Sequence, residues 1–105
     1  MSAKINNSPL FLDVMTLVAD ERVRQNALFA EGKIPFNCAS RIADPNRKLR
    51  VLVEEVGEVA EALDALENKK DWKRFDHLRE ELVQVAAVAV AWLEALQAMG
   101  GKRER

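Results

Sequence analysis

The stretch VLVEEVGEVAEAL, residues 51–63, decides how this chain is read, because it joins a helical apolar period to four closely spaced glutamates. At this spacing Glu54, Glu55, Glu58 and Glu61 repel one another by a few tenths of a kcal/mol per pair. Keeping them together requires a compensating partner. Advancing about 100° per residue, Leu52, Val56, Val59, Leu63 and Leu66 share one apolar arc. Glu54 and Glu61 fall outside it. Glu55 lands between Ala62 and Leu66 at the border of that arc, and Glu58 lies beside it one turn on.

Working outward, Asp44 is a good N-cap and Pro45 suits the first helical position, where its missing N–H would be unpaired anyway. The helix that starts there is expected to run to about residue 68. A short NKKD linker then leads into a further helix over residues 71–99, with Gly100 and Gly101 closing it in the left-handed conformation. Upstream, Leu10, Val14, Leu17, Val18 and Leu28 recur at helical spacing over residues 9–31, and Gly32 supplies a stop. Between the first two helices, KIPFNCASRIA holds Pro35, Asn37 and Ser40, and reads as a loop with room for a short helical turn. Tyr is absent, only four Gly and three Pro occur, and no segment alternates polar and apolar residues for long. The expected fold is an all-α bundle of three helices in one domain, residues 1–105, with its core at 10–99 and a basic tail at 100–105.

Composition narrows the function. Sixteen Lys+Arg against 17 Asp+Glu give a net charge of -1, and the only clustered basic run is the terminal GKRER, so no electrostatic footprint for nucleic acid is present. The single cysteine, Cys38, cannot form an internal disulfide, and MSAKINNSPL lacks the apolar core of a secretory signal. A cytoplasmic protein is the expectation. The longest uninterrupted apolar run, residues 85–93, falls short of the roughly 18 to 20 residues that cross a bilayer, so no membrane partner is expected. From residue 85 to 96 nearly every position is apolar except Glu94. Such a helix would be buried all round, which three helices cannot provide, so a subunit interface is expected.

The third helix repeats the acidic construction. Glu81 falls within the stripe of Leu78, Val85, Val88, Trp92 and Met99, and a charge facing a core must be paired, protonated or bound to a metal. EEVGEVA (54–60) and EELVQVA (80–86) match at Glu-Glu, at Val and at Ala, with Lys48 and Arg74 each seven residues before the second Glu. Two such half-sites face to face would form a four-ligand cage of Glu55, Glu58, Glu81 and Gln84, an all-oxygen environment suited to Mg²⁺ or Mn²⁺. Lys48 and Arg74 would lie two turns away to meet an anion on the metal. The plainer alternatives are a solvated acidic face, ordinary surface cations at Lys48 and Arg74, an exposed His77, core-edge Trp72 and Phe75, and a buried, inert Cys38.

EEVGEVAEAL followed by REELVQVAAVAVAWLEAL resembles the MazG-like members of the all-α nucleoside triphosphate pyrophosphohydrolases, whose signature is E-x-x-E preceded by Glu on one helix and E-x-x-D on the next. ERVRQNALF is similar to the preceding helix of small phage- and integron-type relatives, and the resemblance covers residues 10–99. It implies a MazG-like bundle with metal ligands at Glu55, Glu58 and Glu81. Gln84 stands where the family has Asp, and an amide oxygen can still coordinate Mg²⁺. Leu28-Phe29-Ala30 departs from the family's Lys-Trp-Gly-like segment. The implied reaction splits a (d)NTP into (d)NMP and pyrophosphate, with Glu54 or Glu58 as the base that activates water, in a homo-oligomer with a tetramer favoured over a dimer. The rival classes are a catalytically degenerate helical assembly module and a di-iron carboxylate protein, whose Glu-x-x-His motifs are missing.

Overall fold

The computed structural model describes residues 8–69 and 74–100, leaving the side chains of Lys69 and Arg74 outside the description. Three helices follow one another: α1 (Pro9–Ala30), α2 (Pro45–Lys69) and α3 (Arg74–Gly100). No strand occurs among the described residues.

Local chemistry sets the helix ends. The Ser8 hydroxyl accepts a hydrogen bond from the Phe11 N–H at 3.4 Å, and Pro9 follows it. At the other end of α1, the Lys33 N–H donates to the Leu28 carbonyl and the Gly32 N–H to that of Phe29. This paired closure needs a left-handed residue, and Gly32 supplies it at φ 75°. The Asp44 carboxylate caps α2 by accepting from the Asn46 N–H at 2.9 Å. Residues 35–43 carry turns and no helix; the Asn37 side chain caps one of these turns by accepting from the Ala39 N–H. The last helix departs from expectation at its end, since Gly100 remains helical and Gly32 alone among the described glycines has positive φ. Helical φ costs glycine only entropy, so the chain continues through it. Gly101, residues 70–73 and with them Trp72 lie outside the described residues.

Helix α3 is shared: α2 packs along one side of it and α1 along another, while α1 and α2 stay apart. The α2–α3 pair is antiparallel, because Glu55 and Glu58 meet Glu81 whereas Val51 and Leu52 pack beside Val88 and Ala91. Cys38 and Phe36 from the loop close over that last cluster.

The inward face of α2 is turned from the expected arc. Lys48, Glu55 and Ala62 lie on it, with Leu52, Val59 and Leu66 half-buried beside them, whereas Val56 is 51% and Leu63 44% exposed. The helix carries two apolar stripes, and weighting by large side chains selects the outer one. On α3 the buried line is Glu81, Ala87, Val88, Ala91 and Ala95, while Leu82, Leu93 and Leu96 are exposed. Within one chain, therefore, α3 is buried on one face only. The helix Phe75–Gly100, 26 residues long, is also long and apolar enough to cross a membrane by length and composition, an 18-residue window within it having a mean hydropathy of 1.6. Counting uninterrupted residues missed this, because Glu94 breaks the run without lowering the mean far.

Candidate metal centre

Glu55 and Glu58 sit one turn apart on α2, and antiparallel packing brings Glu81 of α3 against both. Each offers a carboxylate oxygen within 4.8 Å of the others. Glu81 is 8% exposed, and one oxygen of Glu55 and one of Glu81, Oε1 in each, are buried with no hydrogen-bond partner. Among the described residues the only basic group within 4 Å of these carboxylates is the half-exposed His77 imidazole, its Nδ1 3.9 Å from Glu81 Oε2 and 3.8 Å from Glu80 Oε1.

Electrostatics register this shortage of positive charge. Burial raises the Glu55 carboxyl from the usual carboxylate range to about 7, and the charges of Glu58, Glu81, Glu21 and Glu54 push the same way. Glu58 is raised as well, first by a hydrogen bond with Glu81, then by desolvation and the Glu81 charge, against a weaker pull from His77. Three convergent carboxylates with orphaned buried oxygens form a hard, all-oxygen donor set. That set fits Mg²⁺ or Mn²⁺.

The other expected site residues separate. Gln84 is half-buried and lines a different cavity, of about 450 Å³ between α1 and α3, with Asp20, Glu21 and Arg79. Glu54 is exposed and borders an open cavity with Arg47 and Arg50. Lys48 is no surface cation: it is 2% exposed, on the inward face of α2 beside Cys38. The Arg74 side chain lies outside the described residues. Cys38 is buried as expected, and desolvation pushes its thiol up.

Two features escaped the sequence reading. A cavity of about 260 Å³ opens beside Glu55, walled by Gln25, Phe36, Asn37, Cys38 and Val88; the long Pro35 loop was its signal. The second is an ion pair whose arginine is buried and whose glutamate is partly exposed. Arg22 of α1, 5% exposed, donates through Nε and one terminal nitrogen to the two oxygens of Glu94 on α3, at 2.7 and 2.9 Å. Glu94 is held below the usual carboxylate range by that bonding. Its signal was an isolated acid in an apolar run, facing an arginine in ERVRQN.

Comparison with known protein families, with curated proteins and with solved structures finds no match to this chain.

Proposed function

We propose that the protein is a Mg²⁺-dependent nucleoside triphosphate pyrophosphohydrolase that converts a (d)NTP to (d)NMP and pyrophosphate, in a nucleotide-pool cleaning role. The observation that carries this reading is a pair of partnerless buried carboxylate oxygens, Oε1 of Glu55 and of Glu81, on residues whose carboxylates converge between α2 and α3. The MazG-like resemblance supplies the reaction class.

Glu55, Glu58 and Glu81 would hold the ion; Gln84, at the family's fourth position, would have to turn from its α1-facing cavity to join them. Bound Mg²⁺, or Mn²⁺ in its place, supplies charge neutralisation for the triphosphate oxygens. Glu58 is better placed than Glu54 to take the proton of the attacking water, because it stands in the cluster, reaches solvent and has its basicity raised. The water oxygen bonds to phosphorus, the anhydride bridge between the α and β phosphates breaks, and pyrophosphate leaves. Lys48 and Arg74 are the proposed anion partners; for Lys48, burial without an ion pair among the described residues supports a role with a ligand.

A homo-oligomer belongs to this reading, with a tetramer favoured over a dimer. Leu78, Leu82, Val85, Ala89, Trp92 and Leu96 follow steps of four and three along α3, the seam of a coiled coil, and none is buried in the chain. The chain exposes 7964 Å², against about 5,900 Å² for a compact monomer of this mass. That total includes the undescribed residues, so only part of the excess belongs to the helices described. Among the carboxylates along this seam-bearing helix, Glu81 and Glu94 turn toward groups of their own chain and Glu80 is exposed, which favours protein and water over lipid around α3 and a cytoplasmic location. The same apolar surface would serve a catalytically degenerate assembly module, the second reading. A panel of nucleotides with Mg²⁺, pyrophosphate and orthophosphate assayed separately, decides between them. Pyrophosphate release from at least one (d)NTP is expected; orthophosphate alone, or no hydrolysis, overturns the proposal.

A further inference from the structure

The cavity beside Glu55 has two amide walls, Gln25 and Asn37, and both are tied to one buried side chain. Arg22 donates to Gln25 Oε1 at 2.8 Å and to Asn26 Oδ1 at 2.9 Å, besides its two bonds to Glu94. Asn26 Oδ1 also accepts from Asn37 Nδ2 at 3.0 Å, and Asn37 Oδ1 accepts from the Ala39 N–H at 2.9 Å. A guanidinium has five N–H donors and no acceptor, so it cannot tolerate an amide nitrogen facing it. Gln25 must turn its oxygen to Arg22, which sends its NH₂ toward Glu21. Asn26 must do the same, which obliges Asn37 to offer nitrogen to Asn26, in keeping with its oxygen accepting from the Ala39 N–H. Arg22 thus helps to hold both walls, Gln25 directly beside Glu21 and Asn37 through Asn26 beside the Ala39 N–H. Each amide keeps one unused N–H and one unused lone pair.

We infer that Arg22 is a positioning residue for base selectivity: it orients the Gln25 amide directly, and the Asn37 amide through Asn26, in the wall of the cavity beside Glu55. The inference rests on the pyrophosphohydrolase reading and adds to it. The ring bound there would be a flat heteroaromatic one, read by the N–H and the lone pair that each oriented amide leaves free, against the apolar surfaces of Phe36 and Val88. Neither Arg22 nor Asn26 touches the metal centre, so their loss should leave metal binding alone.

The test uses the full chain with the four common dNTPs. Arg22→Lys keeps a charge for Glu94 but lacks the fork that reaches both amides, and Asn26→Leu breaks the relay at an exposed position without touching the ion pair. Both should raise KM about tenfold for the preferred nucleotide and flatten the preference among bases, with kcat held within about threefold. The Mg²⁺-induced rise in melting temperature should match wild type. Asn26→Asp still accepts from both neighbours and should behave as wild type. Unchanged KM and preference in both disrupting variants overturns the inference. So does a loss of kcat and Mg²⁺ response alongside KM, or an Asn26→Asp that fails as Asn26→Leu does. If the wild type hydrolyses no nucleotide, the pyrophosphohydrolase reading fails and base selectivity fails with it. The relay itself is then read from the side-chain NH₂ resonances of Gln25 and Asn37. Slow exchange in wild type that is lost in Arg22→Lys upholds the relay; identical exchange in the two overturns it.

Discussion

Helix α3 carries two carboxylates that turn toward other helices of the chain, Glu81 and Glu94, thirteen residues and so about 20 Å apart, and the chain treats them in opposite ways. Glu94 meets a guanidinium with both of its oxygens, and its acidity is strengthened. Glu81 meets two more glutamates, and one of its oxygens has no partner at all. Since Arg22 shows that the sequence can place a cation inside the bundle, the missing cation at Glu81 points to a neutralising group from outside the chain. A buried charge with its partner in the chain is part of the scaffold; an unpaired cluster is a candidate site.

The sharpest way to break this contrast is Glu81→Gln. Removing one of three repelling charges should leave the metal-free protein as stable as wild type or more so. The rise in melting temperature with millimolar Mg²⁺ should largely disappear, and pyrophosphate release should fall by at least about a hundredfold, some 2.7 kcal/mol of transition-state stabilisation. Thermal melts with and without Mg²⁺, alongside the nucleotide assay, measure both. Full activity in Glu81→Gln, or a wild type indifferent to Mg²⁺, would remove the metal centre from the account.

Glu94→Gln should show the reverse pattern. It leaves the Arg22 charge buried with a neutral partner, at a cost of about 1 to 3 kcal/mol, toward the lower end because the Glu94 side chain is 45% exposed. The Mg²⁺ response should persist. Chemical denaturation would record the loss, and stability equal to wild type would mean that the pair is no scaffold.

The pH dependence separates the two groups by sign. Glu55 is raised from its ordinary 4.5 to about 7, so between those values the folded chain binds more protons than the unfolded one. Stability of the metal-free protein therefore falls as pH rises through that window and levels off above it. The fall should be about 1 kcal/mol, since Glu55 keeps some solvent contact. Glu94 is lowered, so its contribution is present above the ordinary carboxylate value and is lost as pH falls through its folded value. Melts from pH 4 to 8 should show the decline in wild type, and its removal by millimolar Mg²⁺ or by Glu55→Gln. A decline that Mg²⁺ leaves untouched would place its source elsewhere.

Much of this was legible because helices write their geometry into spacing. The 54–60 and 80–86 match brought Glu55, Glu58 and Glu81 together before any coordinates, and the Pro9, Gly32 and Asp44 signals fixed ends that short-range hydrogen bonds alone determine. What failed was rotational. On α2 two apolar stripes compete, and periodicity could not tell that Lys48, Glu55 and Ala62 face inward while Val56 and Leu63 face out. The Arg22–Glu94 pair was illegible for another reason: its partners stand 72 residues apart, and nothing local in either helix names the other.

The smallest expected effect is the most direct check on rotation. Glu80 and Glu81 are neighbours in sequence, but about 100° of helical turn separates them, and their side chains are 72% and 10% exposed. Both stand within 4 Å of His77, so each has the same modest surface partner and they differ only in what lies on the inward side. A surface pair of this kind contributes from nothing to about 1 kcal/mol, and His77 keeps Glu81 when Glu80 is neutralised. Glu80→Gln should therefore change stability by less than about 0.5 kcal/mol, and leave both the Mg²⁺ response and pyrophosphate release at wild-type level. Measured beside Glu81→Gln, it holds helix propensity and charge change constant. A Glu80→Gln protein that loses its Mg²⁺ response while Glu81→Gln keeps it would mean that α3 is rotated by one residue, with Glu80 in the cluster in place of Glu81.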